Sequence, residues 1–264
     1  MKLQAPTHNS NSSVVFEELK SFFYVILLAL CIRVLIFEPF YIPTGSMRMT
    51  AVEGDYLFTT KYNYGYSKHS LIVSPNLFSG RILATLPERG DIIIFRPPHQ
   101  MHERFVKRLI GLPGDKIEFI NGIIYLNDKK IERERVRNYE ENGLIFEEYR
   151  EILPNGKSYL IRQINQEDIS QSYNKILTKV NNMGPFFVPN ESYFFLGDNR
   201  DQSGDSRFEL GYVPFENFIS KVRFVFFSFG EKLWLEDPLS MKQVMQIGKW
   251  VKSFRRDRFC TTLE

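Results

Sequence analysis

A serine with small neighbours follows directly on an apolar run of the sequence. The stretch "IPTGSM", residues 42–47, places Ser46 between Gly45 and Met47. A serine hydroxyl is a weak nucleophile until a base removes its proton. Ser46 is therefore either an ordinary turn residue or the nucleophile of an acyl transfer, and the choice depends on finding a base elsewhere in the chain.

Histidine is the usual base for such a hydroxyl. The chain contains four histidines: His8, His69, His99 and His102. Their positions mark none of them as a base, and a solvated loop residue is the better explanation for each. His99 and His102 are three positions apart, but no third ligand lies near them in the sequence, so they make a poor metal site.

A lysine can act as the base if it is uncharged near neutral pH. This requires burial among apolar groups, which lowers the lysine pKa from about 10.4. If "ERFVKRLIGLPGD" forms a strand, Lys107 shares one face with Phe105 and Leu109, which could desolvate it. The adjacent Arg108 stays protonated and cannot serve. From this pattern alone, a surface lysine on an edge strand is the better explanation.

A third polar stretch, "GDNRDQSGDSR" at 197–207, follows a predicted strand. A solvated loop is one explanation and a calcium-binding loop is another. A calcium loop that starts at Asp201 has Ser206 where glycine is needed, and one that starts at Asp198 has Arg200 at its third position. The calcium interpretation therefore fails in both registers.

The element in front of Ser46 is an apolar run. "FFYVILLALCI" covers 22–32, Arg33 interrupts it, and "VLIF" continues it to Phe37, sixteen residues in all. A spanning helix needs about 20 residues, so this run is at the short end. An arginine near one interface can extend its charge to the headgroups.

Three kinds of membrane segment compete for this run. A cleaved signal peptide would need a small-x-small cleavage site, and none follows. A lipoprotein signal ending at Cys31 would need a small residue in front, where the chain has Leu30. An uncleaved anchor is the interpretation that we favour. Lys2 and Lys20 precede the run and Arg48 follows it, which places the N-terminus on the cytoplasmic side.

Composition supports a packed body. Of 264 residues, 43% are hydrophobic and 25% charged, as in globular proteins. The net charge of +3 gives no indication of nucleic-acid binding. The two cysteines, Cys31 and Cys260, form no metal-binding spacing, and a disulfide between them is not expected.

Strand patterns dominate after the anchor, and we predict a mainly β fold. An antiparallel β catalytic core would carry an inserted, smaller, polar β-rich region and would be preceded by one N-terminal transmembrane helix. Asn121-Gly122 lies between two apolar runs and predicts a type I′ hairpin. Other predicted strands are Ile92–Phe95, Phe194–Leu196 and Val222–Phe229.

We divide the chain into six segments. They are a cytoplasmic tail (1–20), a transmembrane anchor (21–40), the first half of the catalytic β core (41–116), an inserted region (117–190), the second half of the core (191–236) and a basic amphipathic C-terminal segment (237–264). The last segment has apolar residues at roughly helical spacing with Lys and Arg between them. It could bind an anionic membrane surface or pack on its own domain.

Together these stretches resemble the bacterial type I signal peptidase, or leader peptidase, family. "IPTGSM" is similar to its nucleophile box, "RGDIIIF" to the next box, "RFVKRLIGLPGDKI" to its lysine box, and "GDNRDQSGDSR" followed by "LGYVP" to its last box. The order, the spacing and the preceding anchor match over Tyr41–Ser228 with gaps. Two departures follow the serine: Met49 replaces a common proline and Ala51 a common leucine.

The resemblance implies a membrane-anchored serine endopeptidase with a Ser-Lys dyad and no metal or cofactor. Ser46 would be the nucleophile and Lys107 the general base. The backbone N–H of Ser46 and the hydroxyl of Thr44, where serine is common, would form the oxyanion hole. Substrates would be exported preproteins with small residues at the −3 and −1 positions, bound in extended form alongside a strand.

The resemblance also implies supporting residues and a location. Ser203 would orient the lysine amine, Asp205 and Arg207 would hold their loop by an ion pair, and Asp198 would support it. The protein would cross the bacterial inner membrane once, with its N-terminus in the cytoplasm and its catalytic body on the exported, periplasmic side. Its partners would be preproteins and the lipid bilayer, and not nucleic acid.

Two other classes of protein remain as alternatives. An inactive, anchored β protein that binds peptides or builds an envelope complex would keep the core and lose the chemistry, but Ser46, Lys107 and Ser203 are all retained. A self-cleaving Ser-Lys regulator would be soluble and carry a DNA-binding domain. The anchor and the lack of a helix-turn-helix pattern disfavour that class.

Overall fold

The computed structural model describes residues 10–71, 74, 78–165, 170–230 and 252–263. These residues form two helices and fifteen strands. The helices are α1 (Ser10–Leu35) and α2 (Gln171–Val180). Most of the chain therefore folds as antiparallel sheet, as the strand patterns predicted.

Helix α1 overlaps the predicted anchor (21–40) but differs from it at both ends. It begins at Ser10, within the predicted tail, and it ends at Leu35. The next residues are extended, because Pro39 disfavours a helical conformation for the residue before it. Large apolar side chains of α1 are exposed, among them Phe22 at 65% and Leu28 at 62%. Among the described residues, no helix is both long and apolar enough to cross a membrane.

The largest sheet has eight strands in the order β1-β2-β14-β3-β4-β12-β13, with β15 also paired to β14. Its strands are β1 (Phe37–Tyr41), β2 (Asp55–Thr60), β3 (Ile92–Phe95), β4 (Phe105–Gly111), β12 (Ser192–Leu196), β13 (Val213–Pro214), β14 (Phe218–Ser228) and β15 (Thr261–Thr262). The three predicted strands are confirmed, except that Phe229 lies just outside β14.

Two smaller sheets come from the middle of the chain. One has the order β11-β5-β6-β7 and the other β10-β9-β8. Their strands are β5 (Lys116–Ile120), β6 (Ile123–Leu126), β7 (Lys129–Lys130), β8 (Glu132–Glu141), β9 (Leu144–Ile152), β10 (Ser158–Ile164) and β11 (Met183–Phe187). The hairpin at Asn121-Gly122 is confirmed, with φ of 51° and 73°.

Helix α2 was not predicted. Leu177 is 2% exposed and packs under the β8–β9 hairpin, whereas the neighbouring Ile176 is 58% exposed. Tyr173, Ile176, Leu177 and Val180 do recur at the i, i+3, i+4, i+7 spacing of one helix face, but the helix has only 10 residues within a polar stretch, and the pattern was missed. The predicted C-terminal amphipathic helix falls largely on 231–251, outside the described residues.

Both faces of the large sheet are covered, which explains its continuous apolar runs. Ile92 and Ile94 of β3 belong to one core cluster, and Ile93 and Phe95 belong to another. A third cluster joins the ends of β4 and β12 to the two smaller sheets. A residue in the middle of β4 is therefore shielded from water on both sides.

The chain passes from α1 into the large sheet without a flexible linker. The Leu35 carbonyl accepts a hydrogen bond from Tyr66 Oη at 2.5 Å, and the Ile36 carbonyl accepts one from the Lys61 N–H at 3.0 Å. Glu38 of β1 then pairs with Lys61 at 2.9 Å and with Arg104. Each residue between helix and strand is thus tied to the body.

Candidate active site

Ser46 lies in a single 3-10 turn, Gly45–Met47, that follows β1. Thr44 precedes the turn in an extended conformation, with φ −135° and ψ 154°. Met47 is fully buried in the core cluster with Ile42, which fixes the turn to the sheet. The Ser46 side chain is 9% exposed and points into the cleft described below.

Lys107 reaches Ser46 from the middle of β4. Its Nζ lies 2.5 Å from Ser46 Oγ, and the residue is only 4% exposed. The Phe105 ring centre is 5.7 Å from Nζ. The lysine is therefore buried, and the alternative of a surface lysine on an edge strand is wrong.

Burial lowers the pKa of Lys107 to about 8. Loss of hydration disfavours the ammonium and is the largest cause. The carboxylates of Asp205 and Asp198 act in the opposite direction, and Arg207 lowers the pKa further. An amine with this pKa can accept a proton from a neighbouring hydroxyl in mildly alkaline solution.

The four histidines lie elsewhere or outside the described residues. His99 is exposed in a loop, and the His102 side chain is 80% exposed. His69 is buried at 7% exposure in the short turn Lys68–Ser70 and does not line the cleft next to Ser46. His8 is not among the described residues. Across the ranges that are described, no group of three or more His, Cys, Asp or Glu could hold a metal ion.

A cleft of about 500 Å³ opens above the dyad. Thr44, Ser46 and Lys107 line it together with Phe40 and Val106. Thr44 is exposed, and its hydroxyl does not cap the turn, so it is free to bind another group. The Ser46 N–H is in the first turn of the short helix, where N–H groups have no partner within the helix. The Thr44 hydroxyl and the Ser46 N–H are therefore the candidate donors for an oxyanion at this site.

The loop Gly197–Arg207 packs directly against the serine turn. The Asn199 N–H donates to the Ser46 carbonyl at 3.1 Å, and Asn199 Nδ2 donates to the Gly45 carbonyl at 2.9 Å. A Cβ on Gly197 would lie 2.2 Å from Ser203 Oγ and 2.6 Å from the Ser46 carbonyl oxygen. Only glycine fits between these two groups.

Asp205 and Arg207 close this loop with a buried ion pair. Arg207 donates from Nε and Nη2 to the two Asp205 oxygens, both at 2.9 Å. The Gly197 N–H donates to Asp205 Oδ2 at 3.2 Å. Burial raises the pKa of the Asp205 carboxyl, but Arg207 and these hydrogen bonds outweigh it and hold the pKa below its usual value. The loop therefore carries its carboxylate ionised.

Asp198 is paired with Arg108, the neighbour of the lysine. Arg108 Nε and Nη2 lie 2.9 and 2.8 Å from the two Asp198 oxygens, and both residues are about 1% exposed. Thr50, beyond the serine turn, also donates to Asp198. This network connects β4, the serine turn and the polar loop at one point.

Comparison with known proteins identifies the family. The protein-family model described as "Signal peptidase, peptidase S26" matches residues 15–227 of this chain. The chain belongs to this family. Signal peptidase I of Rickettsia massiliae (strain Mtu5) is 48% identical over 261 residues, which cover 97% of this chain and 96% of the relative. Signal peptidase I of Rickettsia canadensis (strain McKiel) is 47% identical over 265 residues, covering 99% and 98%.

A solved structure also matches. The crystal structure of a signal peptidase I from Enterococcus faecalis V583 is 26% identical, with a TM-score of 0.31. The match covers 52% of this chain and 97% of the solved one.

One expected contact of the signal peptidase site is not formed here. Within the described part of the chain, Ser203 Oγ is buried and has no hydrogen-bond partner, so it does not contact the Lys107 amine. Ser203 is nevertheless next to Gly197 and 9% exposed, at the floor of the polar loop. Its proposed role of orienting the amine stays a prediction.

Several residues around the signal peptidase site were missed by sequence reasoning. Arg108 was considered only as a base and rejected, although it binds Asp198. Arg200 and Glu151 form a bidentate pair, each 1% exposed, and join the polar loop to β9. Arg162 of β10 lines the cleft, although it lies in the predicted insertion. A buried arginine in a charged stretch leaves no periodic pattern, so the sequence contained no usable signal.

Proposed function

We propose that this chain is a membrane-anchored serine endopeptidase that removes N-terminal signal peptides from exported preproteins. The observation that carries the proposal is the 2.5 Å separation of Lys107 Nζ and Ser46 Oγ in surroundings that keep the amine partly uncharged. The relatives named Signal peptidase I match nearly the whole chain and support the same activity.

The reaction begins when uncharged Lys107 takes the proton of Ser46 as the hydroxyl oxygen attacks the scissile carbonyl carbon. The Thr44 hydroxyl and the Ser46 N–H donate to the developing oxyanion, which is worth about 2.7–4 kcal/mol per donor. The Lys107 ammonium then gives its proton to the leaving amine as the C–N bond breaks. Water, activated by the same amine, hydrolyses the ester on Ser46.

The surrounding ion pairs hold this geometry in place. Asp205 with Arg207 and Asp198 with Arg108 fix the polar loop against β4 and the serine turn. Ser203 would hydrogen-bond the amine once substrate closes the cleft. No metal or cofactor is assigned to the reaction, since base, nucleophile and oxyanion donors all come from the chain.

Helix α1 would anchor the catalytic body in the bacterial inner membrane as a single-pass segment. The N-terminus would lie in the cytoplasm and the body on the exported side. The exposed apolar side chains of α1 support contact with lipid. Because β1 follows α1 directly, Ser46 would lie close to the bilayer, where the cleavage site of a preprotein emerges from the lipid.

The test is a cleavage assay with the purified full-length protein in detergent. A preprotein with alanine at −3 and −1 is incubated with the wild type and with Ser46→Ala, and the product is sequenced from its N-terminus. The proposal expects one cut after the −1 alanine by the wild type only. An inert wild type would favour the inactive peptide-binding alternative, and a fully active Ser46→Ala would refute the role of the serine.

A further inference from the structure

The Glu141 carboxylate connects the segment around Ser46 to the β10-β9-β8 sheet. Arg48, two residues after Ser46, places Nη2 2.5 Å from Oε1 of Glu141. Glu141 is the last residue of β8, and its Oε2 lies 2.5 Å from Nη1 of Arg162 on β10. The carboxylate is therefore shared between a cation of the serine turn and a cation of the sheet beside the cleft.

Arg162 extends this connection to the other side of the nucleophile. It is 2% exposed, and its Nη2 donates to Gln202 Oε1 at 3.0 Å. The same oxygen accepts a hydrogen bond from Asn199 Nδ2 at 3.2 Å, and Asn199 Nδ2 also donates to the Gly45 carbonyl at 2.9 Å. Glu141 is thus linked to Gly45, the residue before Ser46, through Arg162. Its other ion pair links it directly to Arg48, two residues after Ser46.

Between the buried residues Met47 and Ala51, the segment after Ser46 is only half-buried. Met49 occupies it in place of the proline whose ring would fix φ. The sheet supplies a second contact at this residue, because Tyr139 Oη lies 3.9 Å from Met49 Sδ. Tyr139 Oη in turn accepts a hydrogen bond from Arg162 Nη1 at 3.2 Å. Strand β8 therefore contacts two successive residues of the turn, at Arg48 and at Met49.

We propose that Glu141 is a positioning residue for the serine nucleophile: it fixes the turn on both sides of Ser46 and so holds Oγ within reach of Lys107. It touches neither reacting atom, and its effect passes through Arg48 and through Arg162. The inference rests on the proposed function, because its consequence is read as a rate of acyl transfer. A small displacement of a reacting group is enough to slow such a step strongly.

The test compares two neighbouring glutamates in the full-length protein. Glu141→Gln keeps the shape and removes the charge, and we expect kcat to fall about 10-fold with KM within about twofold. Glu140→Gln makes the same change of net charge at the adjacent, exposed position and should leave both constants unchanged. The pH at which kcat is half-maximal should be the same in all three proteins, because the surroundings of Lys107 are not altered.

A second variant separates positioning from loss of folding. Arg48→Ala removes one partner of Glu141, and the double variant Arg48→Ala with Glu141→Gln should be no slower than Glu141→Gln alone, since Arg48 acts through Glu141. Thermal unfolding of each variant should stay close to that of the wild type. Losses that multiply, a change in KM alone, or a Glu141→Gln as fast as Glu140→Gln would each overturn the proposal.

Cleavage of the preprotein by the wild type distinguishes failure of this inference from failure of the proposed function. If it cleaves the preprotein and Ser46→Ala does not, the function stands and the comparison of Glu141→Gln with Glu140→Gln tests Glu141. If it does not cleave, the function fails and Glu141 is tested by acylation of Ser46 with a penem followed by mass spectrometry. Slower acylation in Glu141→Gln alone supports positioning, and equal rates in the two glutamine variants refute it.

Discussion

Lys107 is removed from water because β4 is covered on both faces, and among the described residues no carboxylate forms an ion pair or hydrogen bond with its amine. Asp205 and Asp198 raise its pKa from a distance, yet burial dominates and leaves the value at about 8. Each is occupied by its own arginine, Asp205 by Arg207 and Asp198 by Arg108. The arginines therefore do more than hold the loop, since they reduce the attraction that would otherwise keep the lysine charged.

This pKa predicts the pH dependence of cleavage. Lys107 acts in its uncharged form, so kcat/KM should rise as pH increases through about 8 and then level off. An unperturbed lysine would place the same limb near pH 10.4. Measuring kcat/KM from about pH 6 to 10 with a peptide substrate checks this, and values that rise without levelling off up to the top of that range would contradict the argument from burial.

Substitution of the lysine should separate chemistry from stability. Lys107→Met keeps the length and apolar stem, so we expect cleavage to be lost while the protein folds at least as stably, because a desolvated amine is removed from the interior. Lys107→Arg should also be inactive, since a guanidinium does not deprotonate. Preprotein cleavage and urea unfolding measure the two effects, and appreciable cleavage by the methionine variant would exclude Lys107 as the base.

The loop Gly197–Arg207 depends on a close approach that only one residue type permits. Gly197→Ala would place a methyl group 2.2 Å from Ser203 Oγ and 2.6 Å from the Ser46 carbonyl oxygen. The backbone oxygen cannot move without shifting the serine turn, so we expect cleavage to fall at least about 100-fold. Kinetics on the purified variant test this.

Gly204→Ala is the matched control for that variant, and the comparison is made on stability. Its Cβ would have no neighbour within 4 Å, although it lies in the same loop. Urea unfolding should show a loss of stability for Gly197→Ala and almost none for Gly204→Ala. Equal stabilities would mean that the loop relaxes around the methyl group and that its packing is not constrained as described.

The buried pair of Arg200 and Glu151 connects the polar loop to β9 and should matter for stability. Glu151→Gln leaves the arginine charged and without its partner in the interior, so we expect a loss of about 3–5 kcal/mol in the free energy of unfolding. The comparison is the more exposed pair of Arg135 and Glu147, whose side chains are 53% and 21% exposed, and Arg135→Ala should cost less than about 1 kcal/mol. Similar losses for both pairs would contradict the assigned burial.

Strands with strong local patterns could be predicted from the sequence, and elements that depend on distant contacts could not. Ile92–Phe95 and the Asn121-Gly122 hairpin are specified by apolar runs and turn residues within a few positions. Helix α2 packs on the core mainly through Leu177. Helix α1 ends at Leu35 because of Pro39, although apolar residues continue past Leu35. Local pattern therefore located the strands better than the helix ends.

At the site, the same limit applies to residue contacts. Ser46 and Lys107 were chosen by chemistry and by the resemblance, and they meet although 61 positions separate them. The role of Arg108 could not be predicted, because its partner Asp198 is 90 positions away and charged neighbours are common in solvated loops. The unpaired state of Ser203 likewise depends on the folded loop and has no local signal.

The whole molecule combines a helix with exposed apolar side chains and a polar body, and this predicts that it partitions into membranes through α1. Leu27→Glu with Leu28→Glu places two charges among the exposed apolar side chains of α1. Each charge at the centre of a membrane helix costs about 2.5–3.5 kcal/mol, so we expect the variant to leave the membrane fraction. Flotation of membranes and extraction with alkaline carbonate measure this, and a variant that stays with the membranes would refute anchoring through α1.

The joint between α1 and β1 has a mechanical consequence. Glu38 forms ion pairs with two cations, and the backbone on either side is hydrogen-bonded to the body. We therefore expect no hinge motion between α1 and the β-sheet body. On the proposed function, Ser46 then works at a constant height above the lipid. On that function, the protein itself would set the distance from the apolar core of a signal peptide to its cut, and a peptide bond that emerges too near or too far would be out of reach.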